Sequence, residues 1–206
     1  MENFENTNNQ DLKNIRRNLR EDKPVITERS VEEYEVLFGV KFREMEGKTI
    51  LDIGSGRGDF HDRVSALGVK VVSLNPEFKK GKDAKYAEKI IHAEGDVGAR
   101  AQELPFADNS FDSEFALYSV PYYLPRYEET GESKENAENF FYEEFERVID
   151  EIIRTLKPGG KAYIYPLDSI NDNNIIAEKI LKQRLDKVTP DFGDFEGNRL
   201  LVLKKK

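Results

Sequence analysis

The chain contains no cysteine among its 206 residues, only two histidines, and no excess of positive charge. The missing thiols exclude disulfides, thiolate metal sites and a cysteine nucleophile, and they fit a cytoplasmic protein. His61 and His92 stand far apart without ligand-spaced partners, which leaves little for a transition-metal site, and His61 reads as a solvated helix residue. No apolar run approaches the roughly 20 residues that span a bilayer, so no membrane association is expected. The opening Met1-Glu2-Asn3-Phe4-Glu5-Asn6 is acidic and amide-rich, unlike a secretory signal. Lysine and arginine number 32 against 40 acids, a formal net charge of −8. That balance argues against general nucleic-acid binding, which needs a basic face to neutralise phosphates. The local cluster Lys13, Arg16, Arg17 and Arg20 reads as a solvated helix face, and Lys204-Lys205-Lys206 as a solubilising tail.

What is present suits one folded domain: 38% of residues are hydrophobic and 35% charged, with no internal repeat and no second core. Residues 1–28 read as a polar arm, with Leu12, Ile15 and Leu19 at the spacing of a short amphipathic helix that ends before Pro24. Residues 29–206 are expected to form the domain. Thr27 or Ser30 before Val31-Glu32-Glu33 predicts a helix start, which Ser30 can cap, with Val36, Leu37, Val40 and Phe42 as the apolar face.

The organising stretch runs from Lys48 to Phe60. Thr49-Ile50-Leu51-Asp52-Ile53 has the β-branched content of a buried strand and drives into Gly54-Ser55-Gly56-Arg57-Gly58. Glycines at alternate positions permit positive φ or a close approach of backbone to a ligand, and carboxyl ends of strands are where α/β folds hold ligands. Phe60, Val64 and Leu67 then predict a helix stripe closed by Gly68, and Val69 to Leu74 a second strand ending at Asn75-Pro76. Strand, helix, strand implies a right-handed parallel crossover. Ile90-Ile91-His92-Ala93 is a candidate third strand and Phe111 to Tyr118 a fourth. Tyr127 to Asn136 has a loop's composition. Phe141, Phe145, Val148, Ile149, Ile152, Ile153 and Leu156 predict a helix with a wide apolar stripe, which Lys157-Pro158-Gly159-Gly160 stops before a strand at Lys161 to Pro166. A helix through Ile175, Ile176, Ile180, Leu181 and Leu185 follows. Val188–Phe192 and Arg199–Leu203 then suggest a hairpin turning at Gly193 to Asn198.

Three landmarks fall in order: Leu51-Asp52-Ile53-Gly54-Ser55-Gly56-Arg57-Gly58, Leu104-Pro105-Phe106-Ala107-Asp108-Asn109-Ser110-Phe111-Asp112, and Leu156-Lys157-Pro158-Gly159-Gly160. Their combination resembles the class I S-adenosylmethionine-dependent methyltransferases of the small-molecule type. The resemblance implies an α/β, Rossmann-like three-layer sandwich whose seven-stranded, mostly parallel sheet has the order 3-2-1-4-5-7-6, with strand 7 antiparallel. It implies S-adenosyl-L-methionine as cofactor and a small-molecule methyl acceptor. Gly54, Ser55, Gly56 and Gly58 would lie against the methionine and ribose, and Asp52 would help hold the ammonium. Asn75, followed by Pro76, occupies the place of the family's ribose-binding acid. Its amide can both accept and donate. Arg100 stands where the family often has an adenine-binding acid, with Asp96 as the alternative, and Ala101 and Gln102 would supply backbone and amide contacts to adenine. Tyr118 would face cofactor and substrate at the end of the fourth strand. A dinucleotide site is disfavoured because Asp59 stands where its third glycine would be.

Two other classes remain open at this level: a methyltransferase-like scaffold with weakened cofactor affinity, and an aminopropyl transferase, which lacks its usual paired acids here. Ser119-Val120-Pro121-Tyr122 is similar to the motif of amino-methylating enzymes, with valine for the first proline. The sequence identifies no catalytic base, no acceptor atom and no oligomeric state.

Overall fold

The structure is a computed structural model that describes residues 29–56, 60–75, 96–121, 134–167, 173–195 and 197–206. The arm at 1–28, Gly58, Pro76, His92, the strand expected at 90–93 and most of the loop expected at 127–136 lie outside the described residues.

Seven strands, β1 (Thr49–Ile53), β2 (Lys70–Leu74), β3 (Asp96–Val97), β4 (Phe111–Leu117), β5 (Leu156–Leu167), β6 (Val188–Phe195) and β7 (Asn198–Lys205), form one sheet in the order β3-β2-β1-β4-β5-β7-β6. The pairs from β3 across to β5 are parallel, and β7 runs antiparallel to both β5 and β6. The fold class read from the sequence is the one observed. Among the described residues the third strand is Asp96–Val97, and the Ile90–Ala93 stretch proposed for it lies outside them. After β3 the chain returns to the far side of β1, so the crevice of this sheet opens where β1 and β4 end side by side.

Helices α1 (Val31–Phe38) and α2 (Phe60–Ser65) cover one face of the sheet, and α3 (Lys134–Thr155) and α4 (Asn173–Lys182) contribute to the core on the other. Ser30 caps α1 as predicted: its Oγ accepts from the Glu33 amide at 3.3 Å while the Glu33 carboxylate accepts from the Ser30 amide at 2.7 Å. The buried face of α1 is not the predicted one. Val31, Tyr34 and Phe38, at steps of three and four, face the core, and Val36 is 67% exposed. Val40 and Phe42 are buried beyond the helix end, Phe42 in a 3-10 turn (Phe42–Met45). Helix α2 stops at Ser65, so Leu67 is exposed rather than part of the stripe, and α4 likewise ends before the exposed Leu185.

All seven residues of the predicted α3 stripe are buried. No linker separates α3 from β5: Thr155 ends the helix and Leu156 already pairs with Phe111. The next pair is Ser113 with Lys161, so Lys157-Pro158-Gly159-Gly160 bulges out of the ladder. Gly160 is required there, because a Cβ would lie 2.8 Å from the Lys157 carbonyl oxygen and 3.0 Å from that of Asp112. The final hairpin is tighter than expected, with Phe195 paired to Asn198 and only residues 196–197 between them.

The C-terminal lysines are not a loose tail. Lys204 sits in the ladder opposite Lys161 and Thr189. Lys205 Nζ donates to the Leu156 carbonyl at 2.7 Å and the Arg154 carbonyl at 3.3 Å, placing a cation at the negative end of α3. Lys206 Nζ donates to the Leu185 carbonyl. Among the described residues no helix is long and apolar enough to cross a membrane.

Glu114 of β4 is buried in the sheet, with Thr155 Oγ1 donating to its Oε1 at 2.7 Å and its Oε2 without a partner among the described residues. Burial pushes its carboxyl from the ordinary 4.5 up to about 8. The folded chain therefore holds a proton that the unfolded chain releases, and the associated stability is complete below pH 4.5 and lost as pH rises towards 8. Thermal unfolding should accordingly fall by roughly 5–10 °C more between pH 5 and 8 in the wild type than in Glu114→Gln. Equal slopes for the two proteins would show that Glu114 does not carry the effect.

Candidate functional site

The glycine turn lies on the rim formed by the carboxyl ends of β1 to β4. Gly54 and Ser55 both donate their amides to the Leu74 carbonyl, at 2.7 and 3.2 Å, so the turn curls towards the end of β2. Gly54 has φ +75° and Gly56 φ +64°. A Cβ on Gly54 would stand 2.4 Å from Ser119 Cβ, so only glycine lets the chain after β4 close against the turn. Next along the rim, the Asn75 amide donates to the Val97 carbonyl at 3.1 Å, tying the ends of β2 and β3. On the other side Tyr118 donates its amide to the Tyr165 carbonyl at 2.6 Å. Tyr118 adopts φ +49°, a left-handed conformation costly for a residue with a Cβ. Its ring, T-shaped against Tyr165 at 5.5 Å, remains 39% exposed.

Asp52 is wholly buried at the base of this turn, on the α1 side of the sheet. Tyr34 Oη donates to its Oδ1 at 2.9 Å, and Tyr34 is itself wholly buried, stacked on Phe60 with centroids 4.1 Å apart. Arg29, just before α1 and 4% exposed, reaches across the rim: Nη2 donates to the Tyr118 carbonyl at 3.1 Å and Nη1 to that of Gly54 at 3.5 Å. Its guanidinium lies 5.7 Å from the centre of the Tyr118 ring. Burial raises the Asp52 carboxyl to about 6, against the opposing pull of the Arg29 charge and the Tyr34 hydroxyl.

Five buried side-chain polar atoms have no hydrogen-bond partner among the described residues: Arg29 Nε, Asp52 Oδ2, Ser55 Oγ, Glu114 Oε2 and Ser119 Oγ. All but the Glu114 atom belong to the glycine turn, Asp52 below it, the arginine across it or the serine packed on it. Leaving such a group unpaired costs about 1–3 kcal/mol. Four of them at one spot form a polar cluster that could receive a ligand. One buried cation and one buried anion face a turn whose backbone is stripped of side chains, which suits an α-amino acid group with its ammonium towards Asp52 and its carboxylate towards Arg29.

Further along the rim the adenine candidates are held from behind by α3. Glu151 accepts from the Leu104 amide at 2.7 Å, and Arg154 donates to the carbonyls of Leu104 and Phe106 at 2.9 and 2.7 Å. Gln102 Nε2 donates to Glu144 at 3.0 Å, which leaves its carbonyl end as the acceptor. Ala101 is buried and Arg100 exposed, the latter's carbonyl accepting from the Glu103 amide at 3.1 Å. Asp96 lies in β3 itself. His61 is no solvated helix residue: its Nδ1 lies 3.1 Å from Ser73 Oγ, on the strand neighbour of Asp52.

The structure thus brings Asp52, Gly54, Ser55, Gly56, Asn75 and Tyr118 to one rim, with Ala101 and Gln102 on the segment after β3. Sequence reasoning named Ser119 only within the Ser119-Val120-Pro121-Tyr122 motif and did not single out Arg29 or Tyr34, which the structure brings to the same rim. Tyr34 carried a usable signal: it sits at core spacing between Val31 and Phe38, and a buried tyrosine hydroxyl needs a partner.

The family described as "Methyltransferase domain" matches residues 51–164. The sterol 4-C-methyltransferase strm-1 of Caenorhabditis elegans is 31% identical over 135 residues, covering 64% of this chain and 35% of that protein. The chain spans about a third of the length of the curated relatives it matches, the matched share being 35% in each. Among solved structures, a Pyrococcus horikoshii protein superposes with a TM-score of 0.53 at 16% identity, over 85% of this chain and 89% of that one. The N-methyltransferase NodS of Bradyrhizobium japonicum, solved with S-adenosyl-L-homocysteine, gives 0.51 at 13% identity over 84% and 85%.

Proposed function

The chain belongs to the methyltransferase-domain family, within the class I S-adenosylmethionine-dependent methyltransferases, and from that premise we propose that it methylates a small-molecule acceptor by in-line transfer, with its cofactor seated along the rim from Arg29 to Gln102. The observation that carries the reading is the pair of buried, opposed and incompletely bonded charges, Asp52 and Arg29, at the glycine turn. Asp52 would take the ammonium of the methionine end and Arg29 its carboxylate, while Gly54, Ser55 and Gly56 admit the backbone-close portion. Asn75 would meet the ribose, Ala101 the adenine through its backbone, and Gln102 the adenine amino group through the carbonyl that Glu144 leaves available. Gly58 and Pro76 are kept in the proposed site on sequence alone.

S-adenosylmethionine supplies a methyl group on a sulfonium, already activated for displacement. The chain's own contribution is then to hold the acceptor in line and exclude water. Tyr118, with an exposed ring between the arginine and Tyr165, would flank the acceptor's approach. No residue is assigned as a general base, since a nitrogen or carbon acceptor needs little proton transfer. The worm relative acts on a sterol and NodS on nitrogen by their names, and for this chain the acceptor is placed only in the class of small molecules. A scaffold that had abandoned its ligand would retain two buried charges to no advantage, which disfavours that alternative.

Calorimetric titration with S-adenosylmethionine and S-adenosylhomocysteine tests the reading. Saturable binding with one site per chain is expected, and no heat at millimolar ligand would refute it. Asn75→Ala should weaken binding by about tenfold, the worth of one lost hydrogen bond in a polar site. Unchanged affinity in that variant would remove Asn75 from the ribose.

A further inference from the structure

The hydroxyl of Tyr34 donates to one oxygen of Asp52, and the Arg29 guanidinium lies close enough to interact with it as well. Both groups are wholly buried. The tyrosine ring cannot shift easily, because Phe60 stacks on it at 4.1 Å and Phe38, Phe42 and Phe115 pack edge-on at 5.9, 6.4 and 6.2 Å. Its hydroxyl donates to Oδ1 at 2.9 Å, and Oδ2 is the oxygen left without a partner among the described residues. A carboxylate on a rotatable stem has thus been pinned at one oxygen by an anchored donor.

Resting on the proposed cofactor reading, we infer that Tyr34 is a positioning residue which fixes the Asp52 carboxylate so that Oδ2 receives the ammonium of the amino acid end. The other groups around Asp52 do not duplicate this. From the segment before α1 comes Arg29, whose two Nη atoms go to backbone carbonyls. From α2 and β2 come His61 and Ser73, which bond each other. Next to Asp52 on β4 stands Phe115, which does not titrate, and Glu114 turns to Thr155 on the opposite side. Tyr34 is then the one neutral donor on this carboxyl among the described residues, and it favours the charged form.

An ammonium needs that charged form. Binding should therefore weaken as pH falls through the Asp52 titration near 6, and removing the hydroxyl should move this acid limb upward by about one unit. The experiment is calorimetric titration of the full chain with S-adenosylhomocysteine between pH 5.5 and 8, for wild type, Tyr34→Phe, Asp52→Asn and the double variant. The ratio of Kd in Tyr34→Phe to that in wild type should be about tenfold larger at pH 5.5 than at pH 8. In the Asp52→Asn background the acid limb should vanish, and Tyr34→Phe should then change Kd by less than about twofold at any pH. A merely structural Tyr34 would shift affinity equally at all pH values and in both backgrounds, and that result overturns the inference. Should Tyr34→Phe fail to fold, an acid limb that persists in Asp52→Asn overturns it independently. No binding by wild type at pH 8 would instead refute the cofactor reading. The Tyr34–Asp52 coupling would then be decided by the ¹³C carboxyl titration of Asp52, which must rise in Tyr34→Phe.

Discussion

Gly54→Ala is expected to lose about 2–5 kcal/mol of stability and to abolish measurable binding of S-adenosylhomocysteine. Two independent penalties meet at this position. The backbone is left-handed at φ +75°, which costs a residue bearing a Cβ roughly 1–2 kcal/mol. The new methyl would also fall 2.4 Å from Ser119 Cβ, and overpacking of that kind costs about 1–3 kcal/mol more. Relief requires the segment after β4 to retreat, which displaces Ser119 and Tyr118 together. Denaturant unfolding reads the first effect and calorimetry the second. Gly159→Ala is the control, since it shares the positive φ with open space around it and should show only the smaller penalty. Adding Ser119→Gly to Gly54→Ala should recover the steric share and leave the conformational one. Failure to recover any stability would show that the contact is not what glycine serves there.

Arg29→Ala should raise the Kd for S-adenosylhomocysteine by a hundredfold or more at pH 7. The variant removes the charge that opposes Asp52, so only the Tyr34 hydroxyl still resists desolvation and the Asp52 carboxyl climbs above its present value of about 6. It also deprives the Gly54 and Tyr118 carbonyls of their donor. The stability cost, roughly 1–3 kcal/mol at pH 7, should shrink at pH 5, where Asp52 takes a proton and no longer needs a counter-charge. Arg29→Lys retains the charge and loses the planar fork, so it should restore part of the affinity but not all. If Arg29→Ala binds as tightly as wild type, the arginine belongs to the fold and the carboxylate must be received elsewhere.

The sheet was legible because its signals are local. Ile50 to Ile53, Val69 to Leu74 and Ala162 to Tyr165 are short, mostly apolar runs, and the seven apolar positions from Phe141 to Leu156 admit one periodicity. Errors arose where apolarity competed with geometry. Val36 drew attention as an aliphatic, while the stripe of Val31, Tyr34 and Phe38 is what packs, with Leu37 partly buried beside it. Leu67 and Leu185 continue their helical spacing on paper, beyond the points where α2 and α4 stop. Lys205 looked like a tail because nothing near it in sequence announces that α3 ends beside the last strand.

The site divided along the same line. Asp52, Gly54 and Gly56 could be read because strand and turn are consecutive. Arg29, Tyr34 and Ser119 come to the rim across separations of 25, 18 and about 65 residues, and only tertiary packing joins them. Arg29 in particular is the first residue assigned to the domain, directly after the polar arm, and nothing in its local sequence marks it as part of a site.

The ring cluster beneath the glycine turn has an optical consequence. The chain has no tryptophan and nine tyrosines, so its near-ultraviolet dichroism arises from tyrosine and phenylalanine. The three wholly or nearly buried tyrosines among the described residues, Tyr34, Tyr163 and Tyr165, all lie on the α1–α2 side of the sheet. Tyr34 touches the buried carboxylate and Tyr165 supports Tyr118. Among the described residues the buried tyrosines thus gather on the face where the cofactor is proposed to bind, and near-ultraviolet dichroism is expected to report its binding without a label.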